Sequence, residues 1–345
     1  MKSLVLQRYN KFSTQETEVP EVKPGWVLIK VEASGICGSD VHGMDGSTGR
    51  RQPPVIMGHE ASGTIERLGQ NVQNWKMSDR VTFDSTISCG ECFYCLREEV
   101  NLCENRRVLG VSCDEYRQDG AFAQYVAVPA HILYAIPDNI SFEQAAMIEA
   151  VSIAVHATAI SSVQENDSAL VIGCGMIGLL CIQALKAAGC KKVMVIDLVD
   201  EKLASALQLG ADRVLKSDDE DLMNQILLET EGRGADIVFE VVGIETTVNL
   251  AIECARKGGT VTLIGNLAPQ VRFPLQKVVT RQLKIQGSCA SAGEFPLCLE
   301  LIATGKIKVD PLISKVAPLE EGNHWFQRLY NKEAGLMKVI LKPQL

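Results

Sequence analysis

Short apolar runs alternating with polar positions fill the first 150 residues: "WVLIKVEASG", "HEASGTIERLG" and "DRVTF" are separated by turn residues. Alternation of period two over about four to eight residues predicts half-buried strands, so this region reads as a small-strand, barrel-like lobe. From residue 169 the pattern becomes apolar strand followed by amphipathic helix. "ALVIG" precedes "MIGLLCIQALKAAG", "KVMVID" precedes "DEKLASALQLG", "DIVFEVVG" follows "DLMNQILLET", and "TVTLIG" follows "TTVNLAIECARKGG". Gly189, Gly210 and Gly258 are expected to stop these helices, where a left-handed cap residue suits glycine. Such units build an α/β fold, a doubly wound parallel sheet with helices on both faces, with "LKIQGS" as its last strand. The tail, "FPLCLELIATGKIKVDPLISKV" to "MKVILKP", breaks the alternation and is too small to stand alone. It is expected to complete the first lobe, giving 1–150 with 288–345 as one domain and 151–287 as the other.

A chain of 345 residues can bury two cores. No apolar run approaches the ~20 residues that span a bilayer, and "MKSLVLQRYNKF" lacks a signal-peptide core with a cleavage site. The expected location is the cytoplasm. The net charge of −8, with no Lys/Arg block, argues against nucleic acid or an anionic membrane as partner and leaves a small molecule. Twelve cysteines without a secretion signal read as thiols.

"VIGCGMIG" places Gly173, Gly175 and Gly178 in GxGxxG spacing, with Cys174, Met176 and Ile177 between them, after a strand and at the start of a helix. The first glycine permits the tight turn, the second lets backbone approach a pyrophosphate, and the third lets helix and strand pack closely. Asp197 ends the second strand, where a carboxylate binds the adenosine ribose hydroxyls, and Leu198 rather than Arg follows it. NAD is therefore favoured over NADP. Lys202 is placed to lie along the adenine, or else is a plain helix-surface lysine.

"CGECFYCLREEVNLC" carries Cys89, Cys92, Cys95 and Cys103 in the spacing C-x2-C-x2-C-x7-C. A bacterial ferredoxin run would have its fourth cysteine after three residues, followed by Pro. Four thiolates satisfy tetrahedral zinc and leave no open position, which makes a structural site. The polar loop has little else to hold it together. Elsewhere, "GICGSDVH" holds Cys37, Ser39, Asp40 and His42, "GHEASG" holds His59 and Glu60, and "IEAVSIAVHA" holds Glu149 and His156. Each alone has a bland reading as core packing or surface charge. Together, Cys37 and His59 with a carboxylate from Glu60 or Glu149 supply three ligands and leave a fourth position, as a catalytic zinc requires.

With "GICGSDVH", "GHEASGTI", "CGECFYC" and Cys103, "IEAVSIAVHA", and "GCGMIG" with Asp197 in this order, the chain resembles the zinc-containing medium-chain alcohol dehydrogenases, within them the polyol (sorbitol-like) branch. The resemblance covers nearly the whole chain. It implies a GroES-like catalytic domain interrupted by a Rossmann domain, a catalytic zinc on Cys37 and His59 with Glu60 or Glu149, and a structural zinc on the four cysteines. In such an enzyme the Ser39 hydroxyl would take the proton of a secondary alcohol and pass it toward His42, as hydride leaves for NAD and a ketone forms. A homodimer or homotetramer is also implied. Three positions depart from the pattern: Ala290 stands where many polyol dehydrogenases have arginine, Gly43 where an aromatic follows the histidine, and Ala150 where Pro is frequent. The substrate class therefore stays open between polyols, small diols, threonine, and phosphorylated or acidic sugar alcohols. A zinc- and NAD-binding protein without turnover is disfavoured, because Cys37, His59, Ser39 and His42 are all present.

Overall fold

Val27, Leu28, Ile29, Val31 and Ala33 are all buried on the strand Trp26–Gly35, because this strand is covered on both faces in the middle of a mixed sheet. The computed structural model describes residues 1–112 and 117–345, so Cys113 lies outside the described residues. These residues group into two units: Met1–Glu149 with Phe295–Ala303 and Val309–Leu345, and Ala150–Glu294 with Thr304–Lys308.

In the first unit, the sheet runs Leu133–Ala135, Arg80–Phe83, Glu60–Leu68, Trp26–Gly35, Lys338–Lys342 and Ile313–Pro318, and Tyr125–Pro129 also pairs with Trp26–Gly35. Register shifts at Leu28/Ile29 and Val31/Ala33 let the long central strand bend and serve several neighbours. One apolar cluster gathers Val27, Ile29, Val31 and Phe83. Another gathers Leu4, Leu6, Phe122, Phe326 and Leu341, so residues from both ends of the sequence share one core. Ile340 and Leu341 pair with Gly35 and Ser34.

The second unit holds a six-stranded, all-parallel sheet in the order Arg213–Lys216, Lys192–Asp197, Ser168–Ile172, Ala235–Glu240, Ala255–Leu263, Lys284–Gly287. Numbered within the unit this is 3-2-1-4-5-6, the doubly wound order, which reverses direction beside the first strand. The four-residue strand Arg213–Lys216 is absent from the sequence reading, since an edge strand this short with one fully buried side chain has no readable period.

Gly189 and Gly210 end their helices with φ of +86° and +104°. Gly258 does not. The helix Glu245–Cys254 stops four residues earlier and Gly258 lies within the following strand. Arg281 does the capping instead, its Nη1 donating to the Ile252 carbonyl at 2.9 Å. Residues 288–294 and 304–308 group with the second unit, tied there by the His156–Glu294 pair at 2.6 Å and by Gln183, which bonds Lys308 N and O. Among the described residues no helix is long and apolar enough to cross a membrane.

Candidate active site

Three chain segments converge at one end of the first unit's sheet. Gly35, at the end of its strand, pairs with Glu60 at the start of the next, and Lys338 opens the strand on the other side. A Cβ on Gly35 would lie within 2.4 Å of Glu60 Oε2, so glycine here makes room for the carboxylate. Cys37 follows two residues later as N-cap of the short helix Gly38–Gly43. His59 follows Gly58, whose φ of +99° turns the chain back into the sheet. The outcome is one S, one N and one O donor, from Cys37, His59 and Glu60, with ligand atoms within 4.8 Å of one another.

The electrostatics around these donors suit a cation. Asp40 is fully buried with its Oδ1 3.3 Å from His59 Nδ1 and 2.9 Å from Arg51 Nη2. Burial opposes its charge, but His59 and Arg51 hold the Asp40 carboxyl down to about 2. Burial likewise works against a positive His59, yet Asp40 and Cys37 raise it well above the ordinary imidazole value. The surroundings of that ring thus favour positive charge, which a metal on Nε2 would supply. Glu60 Oε2 accepts from Lys338 Nζ at 2.5 Å, while Glu60 Oε1 is buried with no hydrogen-bond partner. An orphaned buried carboxylate oxygen beside a thiol and an imidazole fits a zinc ligand set.

Ser39 is exposed, and its Oγ lies 3.4 Å from both Cys37 Sγ and His59 Nε2, so a group bound at those atoms would touch the hydroxyl. His42 sits one helical turn on, exposed to solvent. Glu149 is half-buried and lies outside the 4.8 Å donor group, but desolvation and the nearby Glu60 push its carboxyl up to about 7 against the opposing pull of His59 and Lys338.

The four cysteines also gather, with sulfurs within 4.8 Å of one another. Their loop leaves the sheet at the antiparallel pair Thr86–Ile87 and Arg107–Val108 and has only two short 3-10 turns. Phe93, Leu96 and Leu102 are exposed, so this excursion has no apolar core of its own. Amides of Cys95 and Glu104 lower the Cys92 thiol to about 6, and those of Glu91 and Cys92 lower Cys89. Burial pushes Cys103 up to about 12. Backbone amides aimed at sulfur prepare thiolates for a metal, which would replace the missing core as cross-link.

In the second unit the glycine loop divides its labour as its spacing implies. Gly173 has φ +104°, and a Cβ on Gly178 would lie 1.8 Å from the Gly173 carbonyl oxygen. A Cβ on Gly175 would meet nothing within 4 Å, which leaves the loop face open to a phosphate at the N-terminus of the helix Met176–Ala187. Ile177 lies in that first turn. Asp197 accepts from Cys174 N at 2.7 Å and Val199 N at 3.0 Å, so backbone amides fix the carboxylate against the loop. Lys202 is on the helix Asp200–Gln208, and its charge acts on Cys174.

Lys338, Arg51 and Glu240 escape the sequence reading. Lys338 had a signal, a lysine opening the apolar strand "KVILK". Glu240, fully buried, accepts from Val242 N and Gly243 N at the end of its strand, and Arg51 is one of two arginines in a polar loop with nothing to single it out.

Comparison with known proteins gives the family and the fold. A family model described as alcohol dehydrogenase GroES-like domain matches residues 23–138, and one described as zinc-binding dehydrogenase matches residues 177–304. The sorbitol dehydrogenase of Bacillus subtilis (strain 168) is 31% identical, over 99% of this chain and 97% of that protein. A structure described as a short chain alcohol dehydrogenase from Escherichia coli CFT073, complexed with NADH, superposes with TM-score 0.91 at 30% identity over 99% of both chains. Another, described as a zinc-binding dehydrogenase from Sinorhizobium meliloti 1021 and bound to NADP, gives TM-score 0.91 at 31% identity over 99% of both chains.

Proposed function

Because this chain belongs to the zinc-containing medium-chain alcohol dehydrogenases, in their polyol branch, we propose that it oxidises a secondary hydroxyl of a polyol or sugar alcohol to a ketone with NAD as acceptor. The observation that carries this reading is the meeting of Cys37, His59 and Glu60 donor atoms within 4.8 Å, with the Ser39 hydroxyl against two of them. Zinc bound there supplies Lewis acidity that makes a substrate hydroxyl acidic, and the nicotinamide supplies the hydride acceptor.

The chain's own residues account for the rest. Cys37 and His59 hold the metal, and Glu60 or Glu149 completes the set. Asp40 keeps the His59 ring oriented with Nε2 toward the donor group. Ser39 Oγ accepts the substrate proton, and exposed His42 delivers it to solvent. Cys89, Cys92, Cys95 and Cys103 hold a second zinc that cross-links their lobe. Gly173, Gly175 and Gly178, with Met176 and Ile177 at the helix start, seat the cofactor phosphates. Asp197 places a negative charge where NADP would carry another, which supports NAD. Lys202 flanks the adenosine end.

The edge strand Lys284–Gly287 supports pairing with a second copy, as a homodimer or homotetramer, and the clustered thiols of Cys89, Cys92, Cys95 and Cys103 support a reducing compartment such as the cytoplasm. With Ala290 in place of a hydroxyl-binding arginine, substrate choice rests on other groups. The test is nicotinamide reduction by zinc-replete protein across hexitols, pentitols, phosphorylated and acidic sugar alcohols, vicinal diols, threonine and simple secondary alcohols. Turnover on a polyol, lost in Cys37→Ser, supports the proposal. Turnover confined to threonine or diols would overturn the substrate class, and silence with NAD and two metals bound would overturn the activity.

A further inference from the structure

The residue after His42 is Gly43, where the resemblance implies an aromatic side chain, and another part of the chain takes up that space. Gly43 is buried, and a Cβ built on it would lie 2.7 Å from Arg51 Cγ. The Arg51 stem therefore packs on the bare face of the glycine. Its guanidinium, 3% exposed, reaches under the short helix to Asp40, where Nη2 donates to Oδ1 at 2.9 Å. The same Oδ1 lies 3.3 Å from His59 Nδ1, and Oδ2 accepts from Cys37 N at 3.4 Å. One carboxylate thus touches the ring of one ligand and the backbone of another, and one buried guanidinium holds that carboxylate.

We propose that Arg51 is a positioning residue for the metal centre, acting through Asp40 on both His59 and Cys37, and that Gly43 is small in order to admit it. This rests on the reading of Cys37 and His59 as metal ligands. Asp40 is the carboxylate beside His59 Nδ1, which has no hydrogen-bond partner among the described residues. A carboxylate in that place orients the imidazole so that Nε2 faces the metal, and loss of such partners costs metal affinity roughly 10- to 100-fold. That carboxylate must itself be held. A planar guanidinium fixes it by direction as well as charge, which an ammonium does less well. Gly43 follows His42 at the end of the same short helix, and a side chain there would meet the arginine stem and not merely solvent.

The competing reading is that Arg51 is a buried counter-charge that stabilises the fold and leaves the metal indifferent. Zinc-loaded full-length protein separates the two when zinc release to an excess of chelator is followed for wild type, Arg51→Met, Arg51→Lys and Gly43→Ala, with the visible spectrum of the cobalt-substituted forms. Wild type should hold two zincs per chain. Arg51→Met should release one of them about tenfold faster or more, the four-cysteine zinc leaving at the wild-type rate, and should shift the thiolate-to-cobalt band of the other site. Arg51→Lys should restore part of the retention, and Gly43→Ala should move release in the same direction with Arg51 still present. Should Arg51→Met not fold, Arg51→Lys and Gly43→Ala carry the same comparison. Variants that lose thermal stability but release both zincs at wild-type rates, with an unchanged cobalt spectrum, would overturn the role of Arg51. Wild type that binds a single zinc, all of it lost in a Cys92→Ser variant, would overturn the ligand reading beneath it.

Discussion

Two thiol-bearing centres stand in the same unit and are built on opposite plans. The four-cysteine lobe is solvated, has one kind of donor, and prepares its sulfurs with local backbone amides. The Cys37–His59–Glu60 centre has three kinds of donor, and its carboxylates are held by buried side chains, Arg51 from eleven positions beyond Asp40 and Lys338 from 278 positions beyond Glu60. The difference teaches what each is for. A set of four equivalent thiolates saturates a metal and needs only a short stretch of chain. A mixed set with an open position needs counter-charges and orienting contacts, and these come from outside the motifs that carry the ligands.

Substitutions that strike one plan and spare the other test this contrast. The largest effect is expected from Cys37→Ser, which should lower kcat by about a thousandfold or more, since metal activation is worth several kcal/mol. Metal analysis should still find the lobe zinc. Lys338→Met comes next: it leaves Glu60 buried without its partner and should cost about 3–5 kcal/mol in denaturant unfolding. The double variant Glu60→Gln/Lys338→Met should regain most of that loss, and a double variant as unstable as the single one would refute the pairing.

Cys92→Ser should lower the thermal midpoint by about 10 °C, the shift expected for a loss of ~3 kcal/mol. Zinc at Cys37 should stay bound, whereas loss of both metals together would erase the distinction between the plans. The smallest effect is a labelling preference in chelated protein. Cys92 is lowered to about 6 and Cys103 raised to about 12, so at neutral pH the first is mostly thiolate and the second thiol. Iodoacetamide followed by peptide mapping should mark Cys92 well before Cys103, and that preference should fade as pH falls below about 6.

The same contrast explains what was legible in the sequence. The four cysteines lie within fifteen residues, and the glycine loop and Asp197 follow the period of one strand–helix unit, so spacing alone exposes them. Cys37, Ser39 and His59 are legible as motifs. Arg51 and Lys338 are not, because their meaning depends on pairing made in three dimensions. Even Gly43 reads as a mere departure until Arg51 is seen against it. The glycine stop expected at Gly258 failed for a similar reason, since the cap comes from Arg281, twenty-nine positions from the carbonyl it bonds. Local rules place local structure, and tertiary contacts can replace them.

The Glu60–Lys338 pair also has a temporal side. The two partners are 278 positions apart, and Lys338 additionally bonds the Ile36 carbonyl across 302. Synthesis at roughly 5–20 residues per second leaves the nascent chain without this lysine for something like a quarter of a minute or more after Glu60 emerges. Throughout that interval the half-built centre has a carboxylate with no ammonium, and its strand Trp26–Gly35 lacks the neighbour Lys338–Lys342. A ribosome-stalled or prematurely terminated product therefore displays a raw sheet edge next to an unneutralised acid, and the last strand to be made acts as the seal that certifies a finished catalyst.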